Sequence, residues 1–232
     1  LSAFGVAPER LHVIPLGVDT KTFRPISGEE RRQLRASLKI PEDAICVGSF
    51  QKDGNGWEEG NDPKLIKGPD VFVDAVSILA EKYPIYVMLT GPARGYIKNR
   101  LSVANIPFVH RYVNSVDDLP RFYGCLDLYI VASREEGGPK AILESMATGV
   151  PLVSTRVGMA TDIVRHGENG MLAGVEDVAG LAKNAACVFE DPVLASTLRT
   201  NGLNTASGYD WQEIADRYVR DIYGPLLRAI EI

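Results

Sequence analysis

The chain has 232 residues, of which 45% are hydrophobic and 24% charged, an ordinary balance for a globular protein with one large or two small domains. Its net charge is −5, which excludes a non-specific nucleic-acid binder, because such proteins carry a strongly basic face. No run approaches the ~20 apolar residues of a membrane span, and a chain of this size can bury roughly 70–75% of its unfolded surface in a sizeable core.

The three cysteines, Cys46, Cys125 and Cys187, are scattered and form no C-x-x-C pair. They read as reduced core thiols of a cytoplasmic protein. His12, His110 and His166 show no metal-ligand spacing, so no metal site is expected. The chain begins at Leu1, without methionine and without a signal-peptide pattern. We expect a fragment of a longer protein, with any membrane contact made through the missing part.

In chain order, residues 11–14 predict a first strand, followed by a Pro/Gly-rich connection through Pro25. Ser27 is the expected N-cap of a helix to about Leu38, with Glu30 as its capping-box partner. Residues 44–50 predict a buried strand, and 51–66 a polar loop. Lys67-Gly-Pro69 opens a helix to about Tyr83, with Phe72, Val76 and Leu79 as its buried stripe. Residues 85–90 predict a strand, 91–95 a turn, the next residues a helix to about Ala104, and 108–112 a short strand. Ser115 is placed as the cap of a helix through Tyr123. Residues 126–132 read as a buried strand, and Gly137-Gly138-Pro139 as a turn into a helix. Proline suits the first helical position, because its missing N–H would have no partner there. Gly149 and Pro151 close this helix. A strand at 152–155, a helical turn at 161–165, and a tight turn at Asn169-Gly170 into Met171-Leu172 follow. Helices are expected at about 177–190 and 192–203. A last helix from Asp210 carries Trp211, Ile214, Tyr218, Ile222 and Leu226 on one face. Strands alternating with helices predict an α/β fold, a doubly wound parallel sheet that binds ligands at the carboxyl ends of its strands.

The stretch from Ser133 to Pro151 carries the chemistry. A strand that stops, a Gly-Gly turn and a new helix N-terminus form an anion site, since free N–H groups and the positive end of the helix dipole converge there. Lys140 in the first turn opposes that dipole, and makes most sense if an anion visits. Glu136 and Glu144 frame the turn and could reach the hydroxyls of the same ligand. The same pattern also occurs in α/β proteins without a ligand. Further cations gather at strand ends: Lys52, Lys64 and Lys67 after one strand, Arg94 and Lys98 after another, and Arg134 beside the turn. In an acidic protein this suggests a polyanionic small ligand such as a diphosphate.

Other motifs fail. Gly48-Ser-Phe-Gln is not a dinucleotide fingerprint, and no P-loop is present. The loop from Asp53 to Asp62 lacks the glycine and the terminal glutamate of a calcium-binding hand. No Ser-His-Asp set stands out. A glycosidase would use two carboxylates as acid and nucleophile or base. Here the carboxylates sit beside a phosphate-type turn, which points to an activated sugar.

Glu136-x7-Glu144, set within Ser-x-x-Glu-Gly and Leu-Glu-Ser-Met-Ala-x-Gly-Val-Pro, resembles the E-x7-E motif of retaining glycosyltransferases of family 4, the glycosyl transferases group 1. The likeness extends over nearly the whole chain. It takes in the Val13-to-Pro25 segment, Lys67-Gly68, the Gly158-to-Leu172 segment, and Tyr209-Asp-Trp with Arg217-Tyr218. It implies the carboxyl-terminal, donor-binding half of a two-domain GT-B enzyme. On that reading residues 1–25 are an interdomain connecting segment and first strand. Residues 26–208 are the Rossmann-like domain, and 209–232 a terminal helix packing on a missing acceptor-binding domain. Glu136 would contact the donor sugar and serve catalysis, and Glu144 the ribose. Gly137, Gly138, Lys140 and Ala141, with Lys67, would hold the diphosphate, and Tyr112 and Val113 would lie near the base. The donor would be a UDP-, GDP- or ADP-sugar, transferred without a metal or other cofactor to a glycan or glycolipid. The protein would be cytoplasmic, reaching the inner membrane face at most through its missing half.

The chain departs from the family at three places. Ser49 stands where a phosphate-binding arginine is usual, and Lys52 or Lys64 is the expected substitute. The turn reads Gly-Gly-Pro in place of Gly-Phe-Gly, and Asp162 replaces a glutamate. A sugar-nucleotide 2-epimerase shares the overall fold, although Glu136-x7-Glu144 favours transfer. A non-catalytic nucleotide-binding module is the rival that Ser49 leaves open.

Overall fold

The computed structural model describes residues 2–113 and 115–230. Leu1, Glu231 and Ile232, at the ends of two expected segments, lie outside the described residues. The strands are β1 (Ile45–Ser49), β2 (Ile85–Thr90), β3 (Phe108–Arg111), β4 (Leu128–Val131), β5 (Leu152–Thr155) and β6 (Met171–Ala173). The helices are α1 (Gly28–Ser37), α2 (Pro69–Ala80), α3 (Gly95–Val103), α4 (Leu119–Tyr123), α5 (Lys140–Ala147), α6 (Ala160–Ile163), α7 (Val178–Glu190), α8 (Pro192–Ser207), α9 (Trp211–Tyr218) and α10 (Gly224–Ile230).

All six strands run parallel, in the order β3-β2-β1-β4-β5-β6. Parallel neighbours need crossovers, and the helices that supply them cover both faces. The strands therefore read as unbroken apolar runs, with alternate side chains feeding two cores. Cys46, Met88, Tyr129 and Leu152 pack with Phe122, Ile142 and Met146 on one face. Val47, Leu89, Ile130 and Val153 pack with Phe72, Val76, Ile97 and Leu181 on the other. Strand order reverses between β1 and β4, which opens the crevice where doubly wound sheets bind ligands.

Most predicted elements are present, and three differ. The expected first strand at 11–14 is absent. That segment lies outside the sheet with Val13 84% exposed, so its apolar residues meet no partner strand. The chain first pairs at Val18, which bridges Asp210. The expected helix from Ser115 becomes a 3₁₀ turn, Val116–Asp118, and then α4 with a proline in its first turn. The terminal helix is interrupted by a π-helical segment, Val219–Tyr223, between α9 and α10. Its apolar residues remain mostly half-exposed, and only Ile214 is buried.

Val18 and the start of α9 are tied closely. The Val18 N–H donates to the Tyr209 carbonyl at 2.9 Å, and the Trp211 N–H donates back to the Val18 carbonyl at 3.2 Å. The Thr20 hydroxyl donates to the Asp210 carboxylate at 2.6 Å. Hydrogen bonds hold the Asp210 and Asp19 carboxyls below their ordinary values, Asp19 chiefly through Thr22 and Asp210 chiefly through Thr20.

Candidate functional site

β4 delivers the chain to the crevice, and the turn from Ser133 to Pro139 carries it into α5. Pro139 is extended (φ −68°, ψ 101°) and caps the helix from outside, so α5 begins at Lys140, one residue later than expected. Among the described residues, the N–H groups of Gly137, Gly138, Lys140 and Ala141 donate to no protein acceptor. The unsatisfied donors of a helix N-terminus are thus available at one point, together with the positive end of its dipole.

The turn is braced from behind. The Met159 N–H donates to the Gly137 carbonyl at 3.0 Å. Gly158 is left-handed at φ 46°, and a Cβ there would stand 2.2 Å from the Glu136 carbonyl oxygen. Across the crevice, Gly68 is also left-handed, and a Cβ on it would stand 1.9 Å from the Ala132 carbonyl. Only glycine lets the start of α2 come this close to the end of β4. That approach brings Lys67 to the turn. Its Nζ lies 2.5 Å from Glu136 Oε1, and the Ser133 hydroxyl donates to the same oxygen at 3.0 Å.

Glu144 lies about one turn further along α5. The Tyr123 hydroxyl donates to its Oε2 at 2.8 Å. Burial raises the Glu144 carboxyl above its ordinary value, opposed by the Tyr123 hydrogen bond and by Lys140. Burial also pushes the Tyr123 phenol well up, so it stays protonated and acts as a donor to Glu144. Glu144 and Lys140 line a cavity of about 140 Å³ together with Asp117, Thr22 and Trp211.

The cations expected around this ligand divide sharply. Lys67 and Lys140 are at the turn. Lys52, an expected diphosphate contact, instead places its Nζ 3.6 Å from the centre of the Trp57 ring. Arg94 is fully buried. Its Nη1 donates to the carbonyls of Ser49 (2.9 Å), Gln51 (2.5 Å) and Thr90 (2.8 Å), and its Nη2 donates to the Ser49 hydroxyl at 3.1 Å. Ser49 is thus a partner for Arg94. Arg94 Nε lies 3.1 Å from Asp53 Oδ1. Burial pushes the Asp53 carboxyl up to about 6 despite that neighbour, and neither of its oxygens accepts a well-aligned hydrogen bond. Arg134 forks onto Asp70 at 2.9 and 2.8 Å and reaches Glu176 at 2.5 Å. The hydrogen bonds it donates to Asp70 and Glu176 raise its guanidinium above its ordinary value, so it stays charged. Both arginines are fastenings within the protein.

Tyr112 and Val113 follow β3, two strands from the order reversal. Tyr112 is exposed and Val113 packs on the core, and neither hydrogen-bonds to the turn. Sequence reasoning did not anticipate Ser133, Tyr123 or the brace at Gly158 as parts of the site. Ser133 had a signal in its Ser-x-x-Glu spacing. Tyr123, which reads as one more apolar residue of a short helix, had none. Among the described residues no cluster of histidine, cysteine and acidic side chains could hold a metal ion.

The parallel sheet and its crevice are those of one Rossmann-like half of the GT-B fold. A family model described as Glycosyl transferases group 1 matches residues 60–191, and the chain belongs to this family. It is similar to D-inositol 3-phosphate glycosyltransferase 1 of Catenulispora acidiphila, with 28% identity over 94% of this chain and 52% of the relative. It is equally similar to the lipopolysaccharide core biosynthesis mannosyltransferase LpsB of Rhizobium meliloti, with 28% identity over 93% of this chain and 61% of that one. The chain therefore spans little more than half the length of these relatives. Among solved structures, Anabaena HepE in complex with UDP and glucose superposes with a TM-score of 0.79 at 22% identity, over 96% of this chain and 59% of that one. At that identity the likeness speaks for the fold.

Proposed function

We propose that this chain is the donor-binding half of a retaining glycosyltransferase of family 4, and that it takes a nucleotide diphosphate sugar in the crevice between β1 and β4. The observation that carries the reading is the α5 N-terminus, with four unsatisfied N–H groups between two carboxylates and beside Lys67. The diphosphate lies on the turn. Lys67 and the helix N-terminus stabilise the charge that develops there as the sugar leaves. Glu136 accepts hydrogen bonds from the sugar hydroxyls, and Glu144 from the ribose. The two chemistries need one anion-binding centre flanked by acceptors, which is the arrangement present. HepE was solved with UDP and glucose, and that supports a nucleotide sugar as the ligand class.

Residues 17–20 meet the start of α9, and Trp211, Tyr218, Tyr223, Leu226 and Leu227 leave substantial apolar surface exposed. We assign this surface to the missing acceptor-binding half. The acceptor is a glycan or glycolipid, and the free cysteines support a cytoplasmic setting.

Calorimetric titration with UDP, GDP, ADP and their sugars should show saturable binding for at least one of them. Glu144→Ala should weaken it about tenfold, the loss of charge-assisted hydrogen bonds to the ribose. Absence of binding by every nucleotide sinks the reading. The chain alone should transfer no sugar, because reaction needs the second domain, and turnover without it would contradict the two-domain site.

A further inference from the structure

We propose that Glu136 makes the site discriminate against the nucleoside diphosphate product, by competing with it for Lys67. The inference rests on the donor reading above and adds a selectivity to it. Lys67 Nζ lies 2.5 Å from Glu136 Oε1, and the pair is largely shielded, with side chains 23% and 12% exposed. Lys67 has few substitutes. Arg94 and Arg134 are fastened within the protein, and Lys52 stacks on Trp57. Lys140 is the other ammonium at the turn, so a diphosphate there draws on Lys140 and on Lys67, whose ammonium a carboxylate already holds.

The two ligands differ in what they give back. An intact nucleotide sugar brings hydroxyl donors to Glu136, which replace the ammonium as it turns to the phosphates. A nucleoside diphosphate brings none. Glu136 is then left with the Ser133 hydroxyl, which donates at 3.0 Å, and with phosphate charge of its own sign nearby. Like charges in a partly dehydrated site repel more strongly than they do in water. The carboxylate thus costs the product more than the donor, and favours departure of the product once the sugar has gone.

The test is calorimetry on this chain with three ligand pairs: UDP and UDP-glucose, GDP and GDP-mannose, ADP and ADP-glucose. Glu136→Gln keeps the shape and removes the charge. For the pair that binds, it should tighten the nucleoside diphosphate roughly three- to tenfold, the scale of one partly screened charge contact. The nucleotide sugar should bind no tighter, so the preference for donor over product falls. Glu136→Ala should tighten the nucleoside diphosphate in the same way, which guards against an effect peculiar to glutamine. If the wild-type chain binds nucleotide and both variants bind the diphosphate equally well or worse, Glu136 is a sugar contact only. The inference then fails while the donor reading stands. If no nucleotide binds the wild type, both fall together.

Discussion

The two sides of the crevice use their polar groups in opposite ways. On the β1–β2 side a buried guanidinium, Arg94, binds three carbonyls and a hydroxyl from the ends of two strands, and it faces a buried carboxylate. The loop that follows β1 is fastened as well, since the Gly95 and Tyr96 N–H groups at the start of α3 donate to its Glu59 and Gly60 carbonyls at 2.5 and 2.9 Å. The N-terminus of α3 is thereby closed by protein. On the β4 side the N-terminus of α5 is open, and its first donors have no protein partner. Both sides present a strand end, a turn and a helix, which a sequence pattern describes alike. What separates them is which helix N-terminus the rest of the chain has already covered, and only the uncovered one can take an anion.

That contrast can be broken. Arg94→Met removes the fastening on the closed side and leaves Asp53 buried without its counter-charge. It should destabilise the protein by about 3–5 kcal/mol in urea unfolding, the usual cost of stranding one member of a buried pair. A variant as stable as the wild type would show that the guanidinium is not what holds the two strand ends together.

Asp53 gives a pH test of the same side. Burial pushes its carboxyl up to about 6 in the folded protein from an ordinary value of 3.8. Between those values the folded state keeps a proton that the unfolded state has lost. The contribution of this residue to stability is therefore full below about pH 4 and falls as pH rises through 6, by about 2–3 kcal/mol in all. Asp19, Asp70 and Asp210 are shifted the other way, so total stability is not the right readout. The wild type and Asp53→Asn should be compared at about pH 4.5 and about pH 7.5, and the variant should lack the loss seen on raising the pH. Equal pH dependence would mean that Asp53 is ionised throughout.

Two lysines, one at the open turn and one in the fastened loop, sharpen the contrast. Lys67→Ala should weaken a nucleoside diphosphate about tenfold and leave the free nucleoside unchanged, since the ammonium addresses the phosphates. Equal losses would remove Lys67 from the diphosphate site. Lys52→Ala should change nucleotide affinity by less than about twofold, because its ammonium is held by cation–π attraction to the indole ring. A loss as large as that of Lys67→Ala would mean that the loop releases this lysine to the ligand.

The architecture was largely legible in the sequence because it depends on local patterns. β2 and β5 begin and end at the residues expected from their apolar runs. Ser27 and Glu30 make both bonds of the capping box, at 3.1 and 2.8 Å. The site was legible in part. Glu136, Glu144 and the glycine turn lie within one stretch, and their spacing survives folding. Lys67 reaches Glu136 across a sequence separation of 69, through a close approach that depends on the strand order. Arg94 read as one more cation at a strand end. That the ends of β1 and β2 would aim three carbonyls at it is a fact of tertiary geometry. The segment at 11–14 misled for the converse reason: its residues suit a strand, but the sheet leaves it no neighbour.

The pairing of Val18 with Asp210 has a consequence for how such proteins can be rebuilt. The polypeptide comes into the folded unit and leaves it at one point, where a bridge and two main-chain hydrogen bonds hold the crossing strands together. The covalent connections of residues 19–209 to the rest of the chain are confined to this gate. A recombination event that cuts at the gate transfers all six strands and the helices that connect them. Cuts elsewhere divide a core. A chimera joined at Thr20 and Asp210 would also preserve the hydroxyl–carboxylate bond that closes the gate.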